Sequence, residues 1–196
     1  MIKHQQSSHD TSRRRLLLRG TTALSATAVA LLAGVPAKAA KSATGQDASR
    51  DAAVLNTALA LEHEAINAYT LGAQSKLLEK PVLAVALKFQ GDHKAHRDRL
   101  VSVLKTLGAT PAEEKTLAVY AQALDVEKLK SQADVLDFAA GLEHGAVNAY
   151  LGIIPSFADR PLAKLAGQLA ADETEHFVVL SQALGRELPA PLSFGV

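Results

Sequence analysis

The 196-residue sequence contains no cysteine and no tryptophan. Without thiols, the chain by itself can form no disulfide, thiolate-ligated metal site or iron–sulfur cluster, and it has no cysteine nucleophile. Aromatic residues make up only 4% of the chain, so any core must be built from aliphatic side chains. No segment shows the period-two alternation of a half-buried strand. No Gly-x-Ser-x-Gly turn is present either, which leaves a Ser-His-Asp hydrolase unsupported. The longest mildly apolar stretch, Thr21 to Val35, falls short of the ~20 residues that a membrane-spanning helix needs.

That stretch has another reading. It follows Ser12-Arg13-Arg14-Arg15-Leu16-Leu17-Leu18 and precedes Ala37-Lys38-Ala39, the pattern of an export signal cleaved after Ala39. Arg13 and Arg14, ahead of an apolar run diluted by Thr, Ser and Gly, resemble the twin-arginine class. The resemblance implies passage through the twin-arginine translocation machinery into the periplasm or another exported location, folded and often loaded with cofactor. The alternative is an uncleaved short membrane anchor; after cleavage no stable span remains. Residues 1–39 hold six of the 21 basic residues and one of the 20 acids, which leaves the remainder at a formal −4. The whole-chain charge of +1 therefore misleads, and no electrostatic footprint for nucleic acid is left. About 157 residues are ample for one domain with a buried interior.

Within that remainder one sentence is written twice. Leu61-Glu62-His63-Glu64-Ala65-Ile66-Asn67-Ala68-Tyr69 returns as Leu142-Glu143-His144-Gly145-Ala146-Val147-Asn148-Ala149-Tyr150, identical at seven of nine positions. After a one-residue slip Pro81 answers Pro161, Asp92 answers Asp172, His93 answers Glu173 and His96 answers His176. A polar pattern duplicated inside apolar helices suggests two half-sites meeting on a pseudo-twofold axis.

Residues 40–48 are small and polar and read as a flexible leader. Four long helical patterns follow, over about 49–75, 81–108, 132–157 and 161–185, and the half-repeats span about 49–108 and 132–185. Pro81 and Pro161 suit first helical turns, and Gly108 suits a C-terminal cap. Short turns before each proline make each pair an antiparallel hairpin. Between the hairpins, residues 109–131, with Pro111 opening a short helix through Leu124, are long enough to travel the length of a bundle. These patterns predict an all-α fold over 49–186: a four-helix bundle with one long crossover between helices 2 and 3, the ferritin-like connection. Residues 187–196 form a tail.

Glu173 and His176, three apart, can address one metal from one helix face. Glu62 and Glu143 come from the facing helices, with Tyr69 and Tyr150 two turns along the same stripes. Carboxylates and imidazoles in this mixture suit iron or manganese, and an inward charge without a partner is costly. These residues resemble the ferritin-like di-iron and di-manganese carboxylate superfamily, whose pattern is a Glu on each of two helices and Glu-x-x-His on each of the other two. The likeness is greatest to exported bacterial ferritin-like domain proteins related to desiccation-associated proteins. It implies that Glu62 and Glu143 bridge two metals, that Glu173 and His176 form one helical pair, and that His96 takes the His position of the other. The chain departs from that pattern at His93, where the family places Glu. Three carboxylates neutralise less of two divalent cations than four, so one metal or none are open alternatives to two. Asp92, four residues before His96, could supply a fourth carboxylate.

All five histidines outside residues 1–39 (His63, His93, His96, His144 and His176) fall in the duplicated blocks. His63 and His144 sit about 100° around the helix from their adjacent Glu and, with Asn67 and Asn148, form a second stripe, expected to support the ligands by hydrogen bonds. Tyr69 and Tyr150 are expected to pack in the core with a polar tip. Glu64, Asp98, Glu175 and the cluster Lys94, Arg97 and Arg99 fit a solvated face. The function this implies is a metal-dependent oxidoreductase or iron-handling protein of oxidative or desiccation stress, with dioxygen or peroxide as substrate. The competing readings are a non-catalytic protective or interaction module with an empty site, and iron storage in a closed homo-oligomeric cage.

Overall fold

A computed structural model describes residues 45–195, and within them every regular element is helical. Four long helices, α1 (Gly45–Gln74), α2 (Lys80–Thr106), α4 (Gln132–Ile153) and α5 (Arg160–Ala183), build the bundle, with a short α3 (Leu117–Ala123) in the crossover. The principal contacts run within the α1/α2 and α4/α5 hairpins, and α1 and α4 join them. Arg13 and Arg14, read from the sequence as part of an export signal, lie outside the described residues.

The helix ends follow local chemistry. Pro81 and Pro161 stand in the first turns of α2 and α5, where a missing N–H costs nothing. Ser131 caps α4 by accepting from the Asp134 N–H at 3.2 Å. Gly108 and Gly185, at φ +71° and +67°, close α2 and α5 in matching Schellman turns. In the first, Ala109 N–H reaches Leu104 C=O at 2.9 Å; in the second, Arg186 N–H reaches Ser181 C=O at 2.9 Å.

Three expected boundaries shift. Helix α1 starts at Gly45, so residues 45–48 of the supposed leader are helical. Helix α4 gives way to a 3₁₀ turn, Ile154–Ser156, because Pro155 has no N–H to continue the ladder. The crossover helix is confined to Leu117–Ala123, since residues before it are held along α1. There the Asn56 amide donates to Thr110 C=O at 3.0 Å and accepts from Ala112 N–H at 2.7 Å. Farther along, Asn67 donates to Glu114 at 2.6 Å. Tyr120 and Leu124 then pack on Ala68 and Leu142.

The largest aliphatic cluster fills one half of the bundle, with Leu55, Leu59, Leu100, Leu104, Leu165 and Leu169 among its members. A smaller one around Phe89, Leu136, Ala140 and Leu180 fills the other. Burying each such leucine contributes about 1.5–3 kcal/mol. Between these two apolar layers lie six buried polar residues of the duplicated blocks, Glu62, His93, His96, Glu143, Glu173 and His176.

Candidate metal centre

Each long helix sends a carboxylate or imidazole inward from its middle. Glu62 comes from α1, His93 and His96 from α2, Glu143 from α4, and Glu173 and His176 from α5; all six are buried. They form two overlapping groups, Glu62/His93/His96/Glu173 and His93/Glu143/Glu173/His176, whose ligand atoms lie within 4.8 Å of one another. The structure thus brings together every residue singled out as a first-choice ligand. Glu62 and Glu143, expected to bridge, each belong to one group, whereas Glu173 and His93 belong to both. Glu173 Oε1 stands 3.2 Å from His96 Nδ1, while its Oε2 stands 3.2 Å from His176 Nδ1.

His93 sits at the middle, 1% exposed. Its Nδ1 lies 2.9 Å from Glu62 and its Nε2 3.2 Å from Glu143. Burial alone would raise the Glu62 and Glu143 carboxyls, but the surrounding imidazoles hold both below the usual carboxylate range. For Glu173 burial wins, and its carboxyl is raised despite His176 and His96. Burial opposes charge on the imidazoles too, yet hydrogen bonds donated to Glu173 and Glu62 push His96 up to about 10. Those to Glu143 and Glu173 push His176 up to about 9. Without a cation the centre is therefore self-compensating, with buried imidazolium set against buried carboxylate.

The supporting contacts cross between the halves. Tyr69 of the first donates to Glu143 of the second at 2.5 Å, and Tyr150 of the second donates to Glu62 of the first. Burial and the adjacent carboxylates raise both phenols. His96 Nε2 meets Asp172 at 3.1 Å, and His176 Nε2 meets Asp92 at 3.4 Å. A carboxylate on the outer nitrogen fixes the ring and directs the other nitrogen inward.

Asp92 is thereby corrected from alternative ligand to outer partner. It is drawn to the surface by Lys88 on the turn before it and joins neither group. Sequence reasoning read it against His96 on its own helix; the duplicated Asp92/Asp172 offset held the clue to the exchange. Phe89, whose ring stacks on His176 with centroids 4.0 Å apart, was missed, since nothing in the repeat marks it.

The second stripe is also corrected. His63 and His144 make no hydrogen bond to any of the six central residues among the described contacts. The buried His63, its imidazole lowered by burial, lies beneath the crossover that Asn67 anchors through Glu114. His144 is exposed and packs on Phe177 and Phe194, while Asn148 accepts from Gly195 N–H at 2.6 Å. The stripe thus ties down covering segments in both halves. Glu64, expected in solvent, is half-buried, and burial raises its carboxyl to about 7.

The central donors fit a metal ion. Glu143 Oε2 is buried with no hydrogen-bond partner, and His96 Nδ1 and Glu173 Oε1 face chiefly each other across 3.2 Å; a buried polar group so poorly satisfied carries a desolvation cost that a cation would offset. Carboxylate oxygens and neutral imidazole nitrogens are suitable donors for iron or manganese.

A family model described as the ferritin-like domain matches residues 50–186. The fold is also similar to the crystal structure of a conserved hypothetical protein from Mycobacterium tuberculosis. That match has 22% identity and a TM-score of 0.59, over 76% of this chain and 99% of that one. No curated protein matches the chain by sequence.

Proposed function

Since the chain belongs to the ferritin-like domain family, we propose that it is an exported metal-binding protein of that fold, holding Fe or Mn in a two-ion carboxylate centre and acting as an oxidoreductase or iron-handling protein in oxidative or desiccation stress. The observation that carries the reading is the pair of overlapping buried groups, in which Glu143 Oε2 is left without a hydrogen-bond partner. Glu62, Glu173, His93 and His96 would hold one ion, and His93, Glu143, Glu173 and His176 the other.

Bound iron or manganese supplies one-electron chemistry toward dioxygen or peroxide. The protein's own contribution is positional. Tyr69 and Tyr150 hold the Glu143 and Glu62 carboxylates. Asp172 and Asp92 orient the His96 and His176 rings, and Phe89 covers His176. Because a ligating ring nitrogen cannot keep its proton, metal uptake displaces the protons that the carboxylates stabilise on the imidazoles. No described helix is long and apolar enough to cross a membrane. Export by the twin-arginine route, cleavage after Ala39 and a periplasmic location belong to the same proposal and rest on Arg13, Arg14 and the apolar run behind them.

Metal content measured after export and after reconstitution tests the reading, together with ferrous oxidation and peroxide consumption. Bound iron or manganese that is lost in Glu143→Ala supports it; a protein that stays metal-free in excess of both ions refutes it. One observation favours a second reading, a non-catalytic protective module: the His93 imidazole already compensates Glu62 and Glu143. Metal at 100 times its Kd would add about 2.7 kcal/mol to the stability of a metal protein and leave a scaffold's melting midpoint unmoved.

A further inference from the structure

Both ring nitrogens of His93 face carboxylates, and those carboxylates belong to different groups. Nδ1 lies 2.9 Å from Glu62 and 3.6 Å from Glu173 Oε1, whereas Nε2 lies 3.2 Å from Glu143. The side chain is 1% exposed, so neither nitrogen is turned to solvent. Glu173 is the other shared residue and offers one oxygen to each side. His93 does the same with nitrogen.

We propose that His93 is a nitrogen bridge between the two cation positions, giving Nδ1 to the ion held with Glu62 and His96 and Nε2 to the ion held with Glu143 and His176. This rests on the two-ion reading above. The charge count supports it. A ring bound through both nitrogens keeps a proton on neither, all of its N–H protons having passed to solvent, and carries one negative charge. Together with Glu62, Glu143 and Glu173 it balances two divalent cations, removing the deficit that His in place of a fourth carboxylate creates. The geometric consequence is a wider metal pair, because an imidazole ring sets two ions farther apart than two oxygens of one carboxylate do.

The test is to load wild type, His93→Glu and His93→Gln with Mn(II), count ions per chain by elemental analysis, and measure the metal–metal separation by X-ray absorption and spin coupling. Melting curves confirm that each variant is folded. We expect two ions in wild type at a separation clearly beyond the ~3.5–4 Å of ordinary two-metal sites. His93→Glu should keep two ions and draw them into that range, and His93→Gln, with no ring nitrogens, should keep one. A wild-type pair already at ~3.5–4 Å, or a wild-type protein that holds one ion while His93→Glu holds two, overturns the bridge and leaves the metal reading standing. No ion in any of the three overturns both. If His93→Gln fails to fold, the wild-type separation and the His93→Glu response still decide.

Discussion

The cost of removing one buried phenol follows from the geometry of the centre. In Tyr150→Phe the Glu62 carboxylate loses its donor from α4 while keeping His93 at 2.9 Å. Both residues are 1% exposed, so water cannot take the place of the lost hydroxyl. A hydrogen bond to a charged group contributes about 1.5–3 kcal/mol; with one strong partner left, a loss of about 2 kcal/mol is expected for the metal-free protein. In a domain of this size that lowers Tm by about 4–8 °C. Tyr69→Phe should cost at least as much, because Glu143 Oε2 already lacks a partner and its Oε1 keeps only the longer contacts to His93 and His176, at 3.2 and 3.5 Å, once Tyr69 is gone. Urea unfolding in the presence of a chelator measures both, with the slope m unchanged if only stability is affected. The same melts repeated with saturating Mn(II) should show a smaller loss, since a cation at the carboxylates takes over the compensation. Variants within about 0.5 kcal/mol of wild type, the range of ordinary surface changes, would refute the claim that the phenols hold these charges.

Two further outcomes follow from residues around the centre. Asp172→Asn and Asp92→Asn should each weaken metal binding by about 10-fold in chelator competition, the low end of the 10–100-fold typical of carboxylates behind ligating histidines. The low end applies because Asp172 is half-exposed and Asp92 is shared with Lys88; unchanged affinity in both would show that the outer carboxylates do not orient the rings. Glu64, raised to about 7 by burial, favours folding most when protonated. That contribution is fully present below its unfolded value near 4.3 and is lost as pH rises through about 7. Glu64→Gln should therefore be more stable than wild type by about 1–2 kcal/mol at pH 8, after discounting for partial exposure, and equal to it near pH 4. A gain that does not depend on pH would remove ionisation as the cause.

The bundle and the six central residues were legible because the signal was written twice. Glu62 and Glu143 recur inside stripes that are otherwise Leu, Ala and Ile, and a carboxylate kept in an apolar stripe in both halves has to point somewhere that offsets its burial. Spacing of three along a helix then placed Glu173 with His176 on one face without any knowledge of the tertiary fold. The partnerships across the axis were not legible in the same way. Sequence distance favours the neighbour on the same helix, so Asp92 was weighed against His96, whereas the pseudo-twofold arrangement hands it to His176 and gives Asp172 to His96.

The second stripe shows why duplication in sequence does not guarantee duplication of environment. His63-x-x-x-Asn67 and His144-x-x-x-Asn148 are the same motif on equivalent helices, yet the first is buried and the second lies at the surface. What differs is the chain that passes over them. The crossover occurs once, between the halves, and lays Glu114 against Asn67. The tail occurs once, at the end, and brings Gly195 to Asn148 and Phe194 to His144. A motif aimed at the axis meets its own copy and becomes a shared centre. A motif aimed outward meets whatever non-repeated segment lies there, and its surroundings are fixed by connections that the repeat does not contain.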